Sequence, residues 1–109
     1  MSIEEEPLEL TEQQAEFLLE HCYAVEAQVR SSKAIAIVMA IARDTVLRGE
    51  SRIPHKEHGR RIGACRRSVD DAMKLLKRRG LIERVGRTEQ GVSIYRAKFP
   101  AGLAAHGLV

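Results

Sequence analysis

The sequence predicts a mainly α-helical fold that closes with a small β-hairpin, and three observations carry this prediction. Apolar residues recur at helical spacing after Thr11 and again after Arg66. Glycines stand where helices would stop, at Gly49, Gly63 and Gly80. Residues Leu81 to Lys98 then read as two short strands around a turn.

The first ten residues form an acidic tail containing Pro7, expected to be frayed. Thr11, with Gln14 three residues on, has the pattern of a capping box, which satisfies free N–H groups at a helix start. A first helix should run from Thr11 to about Val29, with Ala15, Leu18, Leu19, Cys22, Val25 and Val29 on its apolar face. Glu12, Glu16, Glu20 and Glu26 fall elsewhere on it, mostly toward solvent. Ser31-Ser32 offers the next N-cap, and a second helix should span Lys33 to Arg48, closed by Gly49. Ala34 to Ala42 is apolar all round, so this helix is either central to the core or shared with a second copy of the chain.

Pro54 suits the first turn of a third helix, from about His55 to Ile62. Gly63-Ala64 makes a tight turn, Cys65 or Ala64 takes the cap position, and a fourth helix runs from Arg66 to Arg79. Gly80 ends it. Leu81 to Gly86 is the first strand, Arg87 to Gly91 the turn, and Val92 to Lys98 the alternating second strand. Pro100 ends the hairpin, and 101–109 is a small apolar tail, either loose or packed on a partner. The organisation is thus 1–10 tail, 11–50 two N-terminal helices for core or dimerisation, 51–99 the functional unit and 100–109 tail.

A chain of 109 residues bounds this to one small domain with one core, mainly aliphatic because Trp is absent and aromatics are few. Cys22 and Cys65 lack a framework spacing and are read as reduced. The acidic opening is not expected to act as a secretory leader, and the longest apolar run, nine residues, is too short to span a bilayer. The expected location is cytoplasmic and nucleoid-associated. The net charge of +3 hides a split: residues 1–30 carry eight acids and one base, the remainder seventeen bases and seven acids. The basic part suggests an anionic partner.

The fourth helix carries the function. At about 100° per residue, Val69, Ala72, Met73 and Leu76 share one face, while Arg67, Asp71, Lys74 and Arg78 point the opposite way and Arg66, Asp70 and Lys77 lie on one flank. Arg suits a bidentate contact with guanine, and Ser68 near the helix start could bond a phosphate together with free N–H groups. Residues Ile62 to Ile82 resemble the winged helix-turn-helix of bacterial transcription factors, as in the GntR and MarR groups and in plasmid or phage proteins. The usual run is aliphatic-Gly-x-Ser-x-x-Thr-Val-x-x-Ala-Leu-x-x-Leu-x-x-x-Gly-Leu-Ile. Ile62, Gly63, Val69, Ala72, Leu76, Gly80, Leu81 and Ile82 match it; Cys65, Ser68 and Met73 replace its Ser, Thr and Leu. The resemblance covers about Ile53 to Lys98.

That resemblance implies a double-stranded DNA-binding transcriptional regulator, acting as a repressor on an operator, with the Arg66–Arg79 helix in the major groove. Arg66, Arg67, Ser68, Asp71, Lys74 and Arg78 would contact DNA there. Arg87 at the wing tip would hold the flank, beside Arg84 and Arg96, and Arg60 and Arg61 would clamp a phosphate. A homodimer through the N-terminal helices would read a palindromic site. Three departures stand out. His58-Gly59 replaces the usual Leu-Ala: Gly59 is small enough for close helix approach but costs about 1 kcal/mol of helix propensity relative to Ala, and His58 either buries a hydrogen-bonded imidazole or turns outward. Asp70 and Asp71 put acids on the reading helix: either can accept from cytosine, or Asp70 pairs with Lys74 along the helix.

Other patterns weigh less. His55 and His58 could share a helix face, yet a zinc site needs further ligands that the spacing does not supply, so no metal or other cofactor is expected. Cys65 at a basic helix start could be a reactive thiol or simply a small turn residue. No catalytic fingerprint is found, so an enzyme is not expected. A plasmid or phage replication or partition factor, or a winged-helix protein-interaction module, remain the alternative functions.

Overall fold

A computed structural model describes residues 9–99, so the readings of both distal tails lie outside the described residues. Helix α1 (Glu12–Glu26) starts at the Thr11 capping box, in which Gln14 N–H donates to Thr11 Oγ1 at 3.1 Å and Thr11 N–H to Gln14 Oε1 at 2.9 Å. It ends at Glu26, short of the expected Val29, although Val29 itself is buried just beyond. Its inward face is Phe17, Leu18, His21 and Val25. Ala15 and Leu19, expected to be buried, are exposed, and Cys22 is half-buried. Phe99 selects this face by meeting Phe17 and His21 edge-on, with ring centroids 4.8 and 4.7 Å apart.

Helix α2 (Ser32–Arg48) is N-capped by Ser31 and closes at Gly49 in the left-handed region. It is the central helix of the chain. Ala34, Ile37, Val38, Ile41, Ala42 and Thr45 are buried, and α2 packs against α1, the third and fourth helices and the second strand. Its apolar sequence is therefore largely used within one chain. Thr45 fixes the last of these contacts: its hydroxyl donates to Ile41 O at 2.8 Å and accepts Ala97 N–H at 3.0 Å.

Helices α3 (His55–Ile62) and α4 (Arg66–Arg78) are joined by a turn through Gly63, whose φ of 67° strains any residue with a Cβ. Pro54 is the N-cap of α3, one position ahead of its expected place, and Cys65 is the N-cap of α4. Val69, Ala72, Met73 and Leu76 are all buried, the face expected of α4. Arg79 is its C-cap and Gly80, at φ 69°, reverses the chain. Strands β1 (Ile82–Arg87) and β2 (Ser93–Ala97) form an antiparallel hairpin, one residue narrower than expected at three strand ends and one residue longer at Arg87. The register shifts between Arg84 and Gly86, leaving Val85 unpaired and bending the ribbon as a bulge does. Ile94 and Tyr95, opposite this shift, are both buried, which breaks the alternation expected of β2.

One further link has no counterpart in the sequence pattern. Buried Ser51 pairs with Tyr95 through two backbone bonds, of 2.7 and 2.9 Å, and ties the segment before α3 to the hairpin. The order α3, turn, α4, hairpin, held on α2, is a winged helix-turn-helix.

Candidate nucleic-acid interface

The outer side of α4 consists of exposed Arg66, Arg67, Asp71, Lys74, Lys77 and Arg78, opposite its wholly buried face. A polar hub fixes how this helix meets its neighbours. Asp70 Oδ1 lies 2.9 Å from His55 Nδ1 and 3.4 Å from Arg66 Nε. His55 Nε2 is 3.3 Å from Tyr95 Oη, and the two rings stack 6.0 Å apart. The hydrogen bond from His55, aided by the Arg66 charge, holds the Asp70 carboxyl below its ordinary range. Asp70 therefore pairs across to α3 and back to Arg66, in place of the expected Lys74 pair, because α3 brings an imidazole closer than the next helical turn brings an ammonium. Asp71 stays exposed beside Lys74, Lys77 and Arg78 along a shallow depression.

Arg60 and Arg61 are less free than charge alone suggests. Glu57 accepts two bonds from Arg60, at 2.8 and 2.6 Å, and one from Arg61 Nε at 2.9 Å. These bonds pull its carboxyl down to about 2. Both guanidiniums remain exposed, but as members of one ion-pair cluster. Arg96 is also occupied: its Nε donates to Gly49 O at 3.1 Å, closing the end of α2. Arg84 and Arg87 are exposed on the hairpin. Half-buried Ser68 holds its Oγ 3.3 Å from Sγ of Cys65, the N-cap residue of α4.

The histidines of the third helix are separated by function. His55 belongs to the hub, whereas His58 is 2% exposed and its Nε2 has no hydrogen-bond partner among the described residues. Its expected partner is thus missing at that atom. Gly59 beside it is packed so tightly that an ideal Cβ would stand 2.7 Å from Ala64 O. Gly59 thus permits the close helix approach expected of it, and this contact outweighs the helix propensity that alanine would add.

The two thiols differ in the same physical terms. The Ser68 hydroxyl, then backbone N–H groups at the start of α4, lower the Cys65 pKa, while desolvation and the Glu26 carboxylate raise that of Cys22. Iodoacetamide at neutral pH should modify Cys65 well ahead of Cys22, since the thiolate is the reacting form. Equal rates in the folded protein would contradict this ordering.

Among the described residues no helix is long and apolar enough to cross a membrane. No protein-family model and no curated protein match the chain. Among solved structures it is similar to NMB1585, a MarR family regulator from Neisseria meningitidis, with 14% identity over 82% of this chain and a TM-score of 0.45. The chain spans 57% of the length of that structure.

Proposed function

We propose that this chain is a sequence-specific double-stranded DNA-binding regulator of transcription, and not an enzyme, that represses by occupying its site in the nucleoid. The carrying observation is α4: one face wholly buried, the other exposed and rich in Arg and Lys, between a glycine turn and a wing. Such a helix presents Arg66, Arg67, Lys74 and Arg78 to the major groove, where they meet base edges or nearby phosphates, Arg being suited to guanine O6 and N7. Ser68 and the α4 N-terminus face the phosphates, Asp71 accepts from a cytosine, and Arg87 holds the flank. Arg60 and Arg61 make a secondary phosphate clamp after exchanging part of their bonding with Glu57.

The test is a gel shift with duplex, followed by selection of bound sequences from a random library. Replacing Arg67 with Ala should cost about 1–3 kcal/mol and relax preference at one base pair. An unchanged preference removes Arg67 from the reading set, and failure to bind any duplex at low salt returns the fold to a protein-interaction role. Duplex should also protect Cys65 from alkylation, because that thiol sits at the cap of α4.

A homodimer through the N-terminal helices belongs to the same proposal. Its support is the outward stripe of α1, where Leu19 is 52% and Tyr23 62% exposed, next to Ala15 and Cys22. Leu19→Glu with Tyr23→Glu should leave the fold intact and halve the mass seen by sedimentation. A wild-type monomer at high concentration would remove the dimer, and with it the expectation of a palindromic site.

A further inference from the structure

We infer that His55 is a positioning residue that couples the wing to the reading helix, through a relay from Tyr95 on β2 across the His55 ring to Asp70 and Arg66 on α4. Its consequence for binding rests on the DNA reading, whereas the relay itself belongs to the free chain. His55 Nδ1 lies 2.9 Å from Asp70 Oδ1 and Nε2 lies 3.3 Å from Tyr95 Oη, and Arg66 Nε stands 3.4 Å from the same Asp70 oxygen. The direction of each bond follows from its chemistry. An ionised carboxylate only accepts, so Nδ1 carries the ring proton, and Nε2 of the neutral ring accepts from the Tyr95 hydroxyl. Tyr95 is buried, where its hydroxyl requires a partner, and His55 supplies one.

The position of this tie along the hairpin gives it leverage. At the base of the wing, Ala97 N–H is fixed to Thr45 Oγ1 on α2 at 3.0 Å, and the backbone of Tyr95 is held by Ser51 ahead of α3. Neither of these bonds reaches α4; His55 carries the link from Tyr95 on to Asp70. Tyr95 stands two residues from Ser93, which pairs with Arg87 at the wing tip. That separation is about 7 Å along a strand. The register shift between Arg84 and Gly86 bends the ribbon beside Tyr95, so a small rotation there displaces Arg87. Arg66 sits at the other end of the relay. The ring therefore holds a wing arginine and a helix arginine at one spacing, which spares a duplex the cost of ordering them on binding.

The experiment uses the full chain, His55→Ala and Tyr95→Phe, the latter keeping the buried ring and removing only its hydroxyl. Two measurements need no nucleic acid. Long-range proton–nitrogen NMR spectra at mildly alkaline pH should show the neutral His55 ring as its Nδ1–H tautomer. Backbone nitrogen relaxation should show added motion over residues 86–93 in both variants, with Ile82 and Ala97 unchanged. The third measurement titrates a random-sequence duplex at several salt concentrations, with Arg87→Ala, and with Arg67→Ala on α4 outside the relay, in each background. Arg87→Ala should flatten the log–log salt slope by about 0.9 in the parent and by much less in either variant, while the effect of Arg67→Ala stays the same in all three. An Nε2–H tautomer, or wing relaxation unchanged in both variants, overturns the relay whatever the protein does with duplex. An Arg87→Ala effect as large in both variants as in the parent, or equal weakening of both arginine effects as a loosened fold would give, overturns the coupling. A parent that ignores duplex at low salt, with the expected tautomer and relaxation, keeps the relay and removes the DNA reading.

Discussion

Lowering the pH from 7 to 4 should remove several kcal/mol of folding stability, most of it through two histidines that bind no nucleic acid. His21 is 0% exposed with both ring nitrogens unpartnered among the described residues, and His58 is nearly as deep. Burial pushes each imidazole from 6.5 down to about 4; at His58, the charges of His55 and Arg61 add to burial and those of Asp44 and Glu57 oppose it. The fold therefore favours the neutral ring. The unfolded chain takes up protons first, as pH falls through 6.5, so stability is full above that value, declines toward 4 and levels off below. A shift of this size corresponds to about 3 kcal/mol per group as an order of magnitude. Glu57 and Asp70, whose folded pKa values are lowered, begin to lose their contribution as pH falls through their ordinary values of 4.5 and 3.8, so the upper part of the window, from 6.5 to about 5, isolates the imidazoles. Denaturant titrations across that window should show the steepest loss in the parent chain. His21→Leu should flatten the slope by one proton and raise stability at pH 7, because unpartnered buried nitrogens no longer need to be desolvated. A pH-independent midpoint between 6.5 and 4 would show that these rings find partners or water.

Local chemistry was readable in the sequence, and contacts between distant segments were not. The Thr11 box, the Ser31 cap, the glycine stops and the inward face of α4 depend on residues a turn or two apart, and each stands where periodicity and capping put it. Helix α1 shows the limit. It carries two apolar stripes, one through Phe17, Leu18, His21 and Val25 and one through Ala15, Leu19 and Cys22. Spacing cannot choose between them; Phe99, more than seventy residues later, does so by packing on the first. The same holds for the candidate interface. That α4 is basic outside follows from its own sequence. That Asp70 belongs to His55, that Arg96 serves Gly49, and that Lys56, Arg66 and Arg87 wall one cleft follow only from the docking of α3 and the wing. Ser51 is the clearest omission, since an isolated bridge of one residue has no strand pattern to detect.

Gly59→Ala should destabilise the chain, against the ordinary preference of helices for alanine. The gain expected from propensity is about 1 kcal/mol. Against it stands a Cβ 2.7 Å from Ala64 O and 3.4 Å from Val69 Cγ2. The oxygen is backbone and has little freedom, because Gly59 O accepts N–H bonds from both Gly63 and Ala64, the latter at 2.9 Å, which fixes the turn against the helix. Relief requires the turn to open and α4 to move off α3 at Val69, a buried contact of the core. Overpacking of this kind costs about 1–3 kcal/mol, so the net effect is a loss that lowers the unfolding midpoint by several degrees. The effect on duplex binding should exceed that expected from stability alone, since the displaced element is the one that would enter the groove. Gly86→Ala is the matched control: its Cβ would meet only Ile94 Cδ1, at 3.8 Å, and its φ is not positive. Thermal unfolding of both variants beside the parent decides the matter. A Gly59→Ala chain as stable as the parent would mean that the turn is not held as closely to α3 as these contacts require, and the rigid placement of α4 would fall with it.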